Sequence, residues 1–164
     1  MERKKKGHIF KQDRARIFKD ERSDVYREKK KYKEPTKCPT CGASFIEGRW
    51  RWEEVSEQAY KELCPACRRI RDHYLAGTVE ISGSFFEEHR KEIMHMIKNL
   101  ERTESQEHPL ERIMEIDTDN GSTLISTTGI HLPRRIGDAL NQAYRGELEI
   151  SYDAETYIRV SWNR

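Results

Sequence analysis

The chain has 164 residues, room for one ordinary domain or two very small ones. An apolar share of 35% against a charged share of 37% allows only a modest core, so a metal or another staple is expected to help hold the fold. No run approaches the ~18 apolar residues of a membrane span, which excludes a helical membrane protein.

The net charge of +2 hides a segregation. Residues 1–37 hold 15 Lys/Arg against 7 Asp/Glu, and residues 38–164 hold 16 against 22. A basic arm of +8 is thus joined to a body of −6. Such an arm suggests a polyanionic partner, the plain alternative being a solubilising tail. No apolar h-region follows Met1-Glu-Arg-Lys-Lys-Lys, so a cytoplasmic chain is expected. In that reducing compartment, paired cysteines are metal ligands or redox groups before they are disulfides.

Residues 1–37 show no sustained apolar period. Helix is conceivable over Gln12–Lys31, but disorder until a partner binds is the expectation, with Lys29-Lys30-Lys31 and Pro35 closing the arm. Residues 38–83 form a cysteine module. In it Arg49, Trp50, Arg51 and Trp52 alternate as a strand would, Ser56 is placed to cap a short helix to Leu63, and Arg68–Tyr74 suits a helical turn ended by Gly77. Thr78–Ser82 reads as a short strand.

The clearest helix starts at Ser84, with Glu87 three residues on as a capping box. Its stripe is Phe86, Ile93, Met96, Ile97 and Leu100, and it is expected to stop near Arg102. His89 lies on that stripe and reads as a packed, hydrogen-bonded histidine. Thr103–Pro109 reads as a linker. The rest follows a β-β-α-β-β order, with an Asn120-Gly121 hairpin turn. Its helix is expected to be capped by Thr127 or Thr128, to carry Pro133 in its first turn and to stop at Gly146. That helix's stripe is Leu132, Ile136, Leu140 and Ala143. Leu148, Ile150 and Tyr152, then Ile158, Val160 and Trp162, alternate with polar residues as half-buried strands do. The fold class expected is α+β: arm 1–37, zinc ribbon 38–83, connecting helix and linker 84–108, and a β-β-α-β-β unit over 109–164.

The chemistry gathers in Cys38-Pro-Thr-Cys41-Gly and Cys64-Pro-Ala-Cys67, with 22 residues between Cys41 and Cys64. Zinc takes four soft ligands in a tetrahedron, and each C-x-x-C turn presents two thiolates from one loop. The spacer exceeds the ~15–20 residues of the usual four-cysteine pattern, a tolerable excess because longer loops cost little entropy. Four cysteines fill the shell, so one structural zinc bound by Cys38, Cys41, Cys64 and Cys67 is the reading, with no open position for catalysis. Thiol redox chemistry is the rival, but no βαβ unit surrounds either pair. The H-x-E of zinc deaminases, the Walker A and the G-x-G-x-x-G patterns are absent.

Basic residues flank this module: Arg49 and Arg51 on the tryptophan strand, then Arg68, Arg69 and Arg71. Together with Lys4, Lys5, Lys6, Lys29, Lys30 and Lys31 of the arm they suit RNA, through phosphate pairing and base stacking. Trp50 and Trp52 read first as core. Arg134 and Arg135 fall in a first helical turn, where cations are disfavoured, so a bound phosphate or plain solvation would account for them.

Cys38-Pro-Thr-Cys41-Gly, Leu63-Cys-Pro-Ala-Cys67 and the following Arg-Arg-Ile-Arg-Asp-His-Tyr-Leu-Ala-Gly77 resemble the zinc-ribbon start of the Nmd-type ribosome-associated family. Ser126-Thr-Thr-Gly-Ile-His-Leu-Pro-Arg-Arg-Ile-Gly137 and Tyr144-Arg-Gly-Glu-Leu148 are similar to the C-terminal part of its small prokaryotic chains, described as affecting ribosome stability and mRNA decay. The eukaryotic members are export adaptors for the large ribosomal subunit. They have two four-cysteine clusters, a long central region and an export tail, so export does not carry over. The resemblance implies ribosome or ribosomal RNA as partner and the four cysteines as ligands. The resulting expectation is a zinc-containing, non-enzymatic ribosome- or RNA-binding protein with no small-molecule substrate. A zinc-stabilised protein–protein adaptor is the alternative, and a thiol oxidoreductase the third.

Overall fold

A computed structural model describes residues 31–153 and 157–164. The arm's expected helix and Lys4, Lys5, Lys6, Lys29 and Lys30 lie outside the described residues.

The chain builds two sheets, and the α+β class holds. The first sheet is made of very short strands: β1 (Thr36–Lys37), β2 (Ser44–Ile46), β3 (Arg49–Arg51) and β4 (Tyr60–Lys61), in the order β3-β2-β1-β4. β1–β2 and β2–β3 are antiparallel and β1–β4 is parallel. The ribbon therefore starts before Cys38: Thr36 is buried, and the Tyr32 ring stands edge-on to Trp50 at 5.1 Å. Where Ser56 was expected to cap a helix, a turn closed by Ala59 N–H donating to the Ser56 carbonyl leads instead into β4. Pairing with β1, over 20 residues earlier, outweighs the local helical preference.

Helix α1 (Pro65–Asp72) begins at the second cysteine pair, with Cys64 as its N-cap. It ends not at Gly77 but at His73, which takes the left-handed conformation (φ 52°) and returns its N–H to the Arg69 and Ile70 carbonyls.

The second sheet has five strands: β5 (Gly77–Ser82), β6 (Ile113–Asp119), β7 (Ser122–Thr127), β8 (Glu147–Asp153) and β9 (Tyr157–Asn163), in the order β6-β7-β5-β9-β8. The strand that sequence grouped with the cysteine module, β5, is the centre of this sheet, antiparallel to β7 and parallel to β9. The β6–β7 hairpin turns on Asn120 and Gly121, both at positive φ, as its sequence requires.

Helices α2 (Ser84–Glu107) and α3 (His131–Tyr144) cover one face of this sheet. Val79, Ile81, Ile125, Ile158, Val160 and Trp162 meet Phe86, Ile93, Ile97, Leu132, Ile136 and Leu140 there, all buried. Ala143, expected on the α3 stripe, is exposed. At the start of α2, Gly83 is the N-cap and Ser84 makes no capping bond; the Arg164 backbone carbonyl accepts from Phe86 N–H instead. His89 stacks on Phe85 with centroids 4.2 Å apart, and its Nδ1 lies 3.7 Å from Glu92.

The segment expected as a linker from Thr103 is helical to Glu107. The cause is tertiary: the Glu104 carboxylate, 5% exposed, accepts from Arg135 Nε at 2.7 Å, which fixes the last turn of α2 against α3. The cap of α3 is equally non-local. Neither Thr127 nor Thr128 caps it; the Glu111 carboxylate accepts from Leu132 N–H at 2.9 Å.

Candidate metal centre

Two local turns aim the thiols. In the first, Gly42 N–H donates to the Cys38 carbonyl at 3.0 Å and Cys38 N–H to the Ala43 carbonyl at 2.8 Å. Gly42 sits at φ 82°, a conformation a side chain would strain, and this tight return brings Cys41 back beside Cys38. In the second, Pro65 opens α1 and the Cys64 sulfur accepts Cys67 N–H at 3.3 Å. A helix N-terminus favours a thiolate there.

The four sulfurs lie within 4.8 Å of one another, and all four cysteines are free. Cys41 and Cys64 Sγ are 3.7 Å apart, too far for a disulfide of about 2.05 Å. A regular tetrahedron with metal–sulfur bonds of ~2.3 Å has edges of about 3.8 Å, so this spacing fits a four-thiolate metal shell. Cys38, Cys64 and Cys67 are buried and Cys41 is half-buried. The tetrad can hold a metal ion with no side chain moving far.

Without a metal the thiols share protons unequally. A hydrogen bond from Cys64 holds the Cys41 thiol down to about 4, with burial opposing. The same bond, then burial, pushes Cys64 up. Burial pushes Cys67 up, opposed by its hydrogen bond from Arg112. A metal binding here must displace protons, so its affinity rises with pH.

Arg112 is the residue that sequence reasoning missed. It lies just before β6, and its guanidinium donates to the sulfurs of Cys64 (3.2 Å), Cys67 (3.4 Å) and Cys41 (3.5 Å). Its Nε donates to the Pro109 carbonyl at 2.7 Å, fixing the plane of the group. Burial alone would lower its pKa, but the bond to Cys67 and the pull of the other two sulfurs raise it, so it stays cationic. Four thiolates on a divalent ion leave a charge of −2, and Arg112 offsets part of it. No sequence spacing marks it; the only signal was the need for a cation near a buried anionic cluster.

The expected RNA-contact arginines fall in different settings. Arg49 and Arg51 share one face of β3, and Arg51 reaches Glu47 at 3.1 Å. Arg68 donates to the Tyr32 hydroxyl at 3.3 Å, and Arg71 pairs with Asp72 at 2.7 Å. Arg69 is 4% exposed over the Tyr74 ring, which withdraws it from the surface. Arg134 donates to the Tyr152 hydroxyl at 3.0 Å, and Arg135 holds Glu104. Because Glu111 fills the N-terminus of α3, no external phosphate is needed there. Lys31 is exposed. Trp50 packs as core beside the tetrad, whereas Trp52 is 46% exposed and its indole N–H donates to the Ser105 carbonyl at 2.6 Å.

Among the described residues no helix is long and apolar enough to cross a membrane. No protein-family model, curated protein or solved structure matches the chain.

Proposed function

We propose that the tetrad holds one structural zinc ion and that the chain is a non-enzymatic ribosome- or RNA-binding protein. The zinc assignment rests on the donor set: four thiolates within 4.8 Å of one another suit zinc and leave no position for a substrate or water. Zinc there supplies a fixed crosslink between the two turns. Cys38, Cys41, Cys64 and Cys67 hold it, and Arg112 orients the cluster and offsets part of its charge.

Charge segregation is the observation that carries the RNA reading. Residues 1–30 alone hold 12 Lys/Arg against 6 Asp/Glu, ahead of a ribbon whose outer strand presents Arg49 and Arg51. Polyphosphate is the partner such a distribution attracts. The resemblance of the cysteine turns to the Nmd-type ribbon points the same way. A protein–protein adaptor is the second reading, favoured by the acidic, exposed Glu115, Glu147 and Glu149 on the two edge strands of the large sheet.

Sucrose-gradient sedimentation of the full chain with ribosomes, across a salt series, tests the proposal. Each phosphate neutralised contributes about 0.7–0.9 to the slope of log affinity against log salt. Deleting residues 1–30, which leaves Tyr32 and Thr36 in the ribbon, should flatten that slope by several units. Co-sedimentation that neither salt nor the deletion weakens would favour the adaptor.

A further inference from the structure

A cleft of about 1070 Å³ runs between the two sheets, walled by β3 on one side and by the end of α2, the start of α3 and Tyr152 on the other. Its volume lies at the top of the ~300–1,000 Å³ span of small-molecule pockets, and as an open cleft it has room for a segment of chain. We propose that this cleft seats a single strand of RNA; the inference rests on the RNA-binding reading above and says where the strand lies.

The charges in the cleft sort themselves. Its two buried carboxylates are already neutralised from within: Glu104 by Arg135, and Glu111 by the N-terminus of α3. Of the charges left for a ligand, Arg49, Arg51 and Arg134 outnumber the one exposed carboxylate of the lining, Glu107. Among the described residues the Arg49 side chain has no ion-pair partner. Arg51 pairs with the exposed carboxylates of Glu47 at 3.1 Å and Glu53 at 3.9 Å, and Arg134 with that of Asp138 at 3.7 Å beside its bond to the Tyr152 hydroxyl. Exposed pairs of this kind are weak, and a phosphate can displace them. Arg49 and Arg51 sit two residues apart on one strand face, about 6.6 Å along β3, so they can meet successive phosphates of an extended strand.

Opposite them, Tyr152 is 50% exposed on β8, and His131 is exposed at the start of α3. Two flat rings across a groove from two arginines can stack unpaired bases while the phosphates run along the arginine wall. A duplex hides its bases and gains nothing from these rings. An acidic peptide would satisfy the arginines but leave both rings unused.

Fluorescence anisotropy of the full, zinc-loaded chain with a labelled oligouridylate of about ten nucleotides tests this. Arg49→Glu with Arg51→Glu should weaken binding at least tenfold and flatten the salt slope by about 1.4, two single-strand phosphate contacts. Tyr152→Ala should weaken it roughly 5- to 150-fold, the range of one lost stacked base, while Tyr152→Phe should bind nearly as the parent does. Lys91→Glu with Lys98→Glu, an equal charge change outside the cleft, should cost far less. Circular dichroism and zinc content check that each variant is folded. If the cleft variants bind as the parent does while the full chain still sediments with ribosomes, the cleft assignment is wrong and the function reading stands. If the full chain binds neither ribosomes nor oligouridylate, the function reading itself fails. Displacement by poly-glutamate at equal charge concentration, with Tyr152→Ala unaffected, would make the cleft an acidic-peptide site and overturn the proposal.

Discussion

Around the cysteine tetrad, the buried cluster consists of Cys38, Cys64, Cys67 and Ala66, with Trp50, Leu63 and Leu110 at its edge. Behind the five-stranded sheet, the cluster is built of large side chains, among them Trp162, Phe86 and a row of isoleucines. The ribbon's strands are two or three residues long, while all five in the other sheet are six or seven residues long, with both helices packed on one face. Strands as short as the ribbon's do not hold together alone in water. One region is thus assembled by burial of apolar surface, while the other has little but the metal proposed for its tetrad to hold it together. Loss of the metal and loss of core volume should therefore damage different parts of the molecule.

The largest effect should come from the ligands. Cys64→Ser removes a ligand thiolate but leaves a hydroxyl that can still cap α1 and accept Cys67 N–H, so its effect reports the metal rather than the cap. Structural zinc contributes an apparent ~10–16 kcal/mol in finger peptides, more than the stability of most domains. In hydrogen exchange, amides between Thr36 and Asp72 should lose protection in this variant or on chelation. Those of β5, β7 and β9 should keep it. Retained ribbon protection after chelation would mean that Trp50 and its neighbours suffice, and the contrast between the regions would collapse.

The second effect falls on the other region. Trp162→Ala empties the centre of the apolar cluster and removes an indole N–H that donates to the Arg145 carbonyl at 2.6 Å. Such a truncation costs about 3–5 kcal/mol. A urea titration should show the midpoint falling for the sheet, while zinc content per chain stays near that of the parent. Loss of zinc in step with the sheet would show the two regions to be one cooperative unit.

The same contrast explains what could be read in the sequence. The ligands were legible because a C-x-x-C turn is local, and the β6–β7 hairpin because Asn120-Gly121 is a local signal. The α2 and α3 stripes were legible because burial imposes a period. The misread features depend on residues far apart in the chain. β4 pairs with β1, β5 is central because β7 and β9 flank it, the last turn of α2 is held by Arg135, and α3 is capped by Glu111. Arg112 belongs to the same set, 45 residues beyond Cys67 with no pattern linking them.

Arg112 is also where the two regions meet, and its replacement should give the smallest of these effects but the most specific one. Its guanidinium touches three ligand sulfurs while its backbone N–H donates to Thr128 Oγ1 at 2.9 Å, beside the last strand residue of β7. Partners of this kind around a metal are worth 10–100-fold in affinity, about 1.4–2.7 kcal/mol. Arg112→Ala should weaken zinc by that factor in competition with a chromophoric chelator, without unfolding the sheet. Arg112→Lys keeps the charge but not the fork that spans three sulfurs, so it should recover only part of the loss. The pH dependence gives the sign. A cation beside the sulfurs favours their thiolate form, so removing it raises the thiol pKa values, and protons compete better with the metal. The deficit of Arg112→Ala should therefore widen as pH falls and narrow as it rises. Equal affinity for parent and Arg112→Ala across that range would reduce the arginine to packing, leaving the Trp52 indole bond to the Ser105 carbonyl as a side-chain tie between the regions that these variants leave untouched.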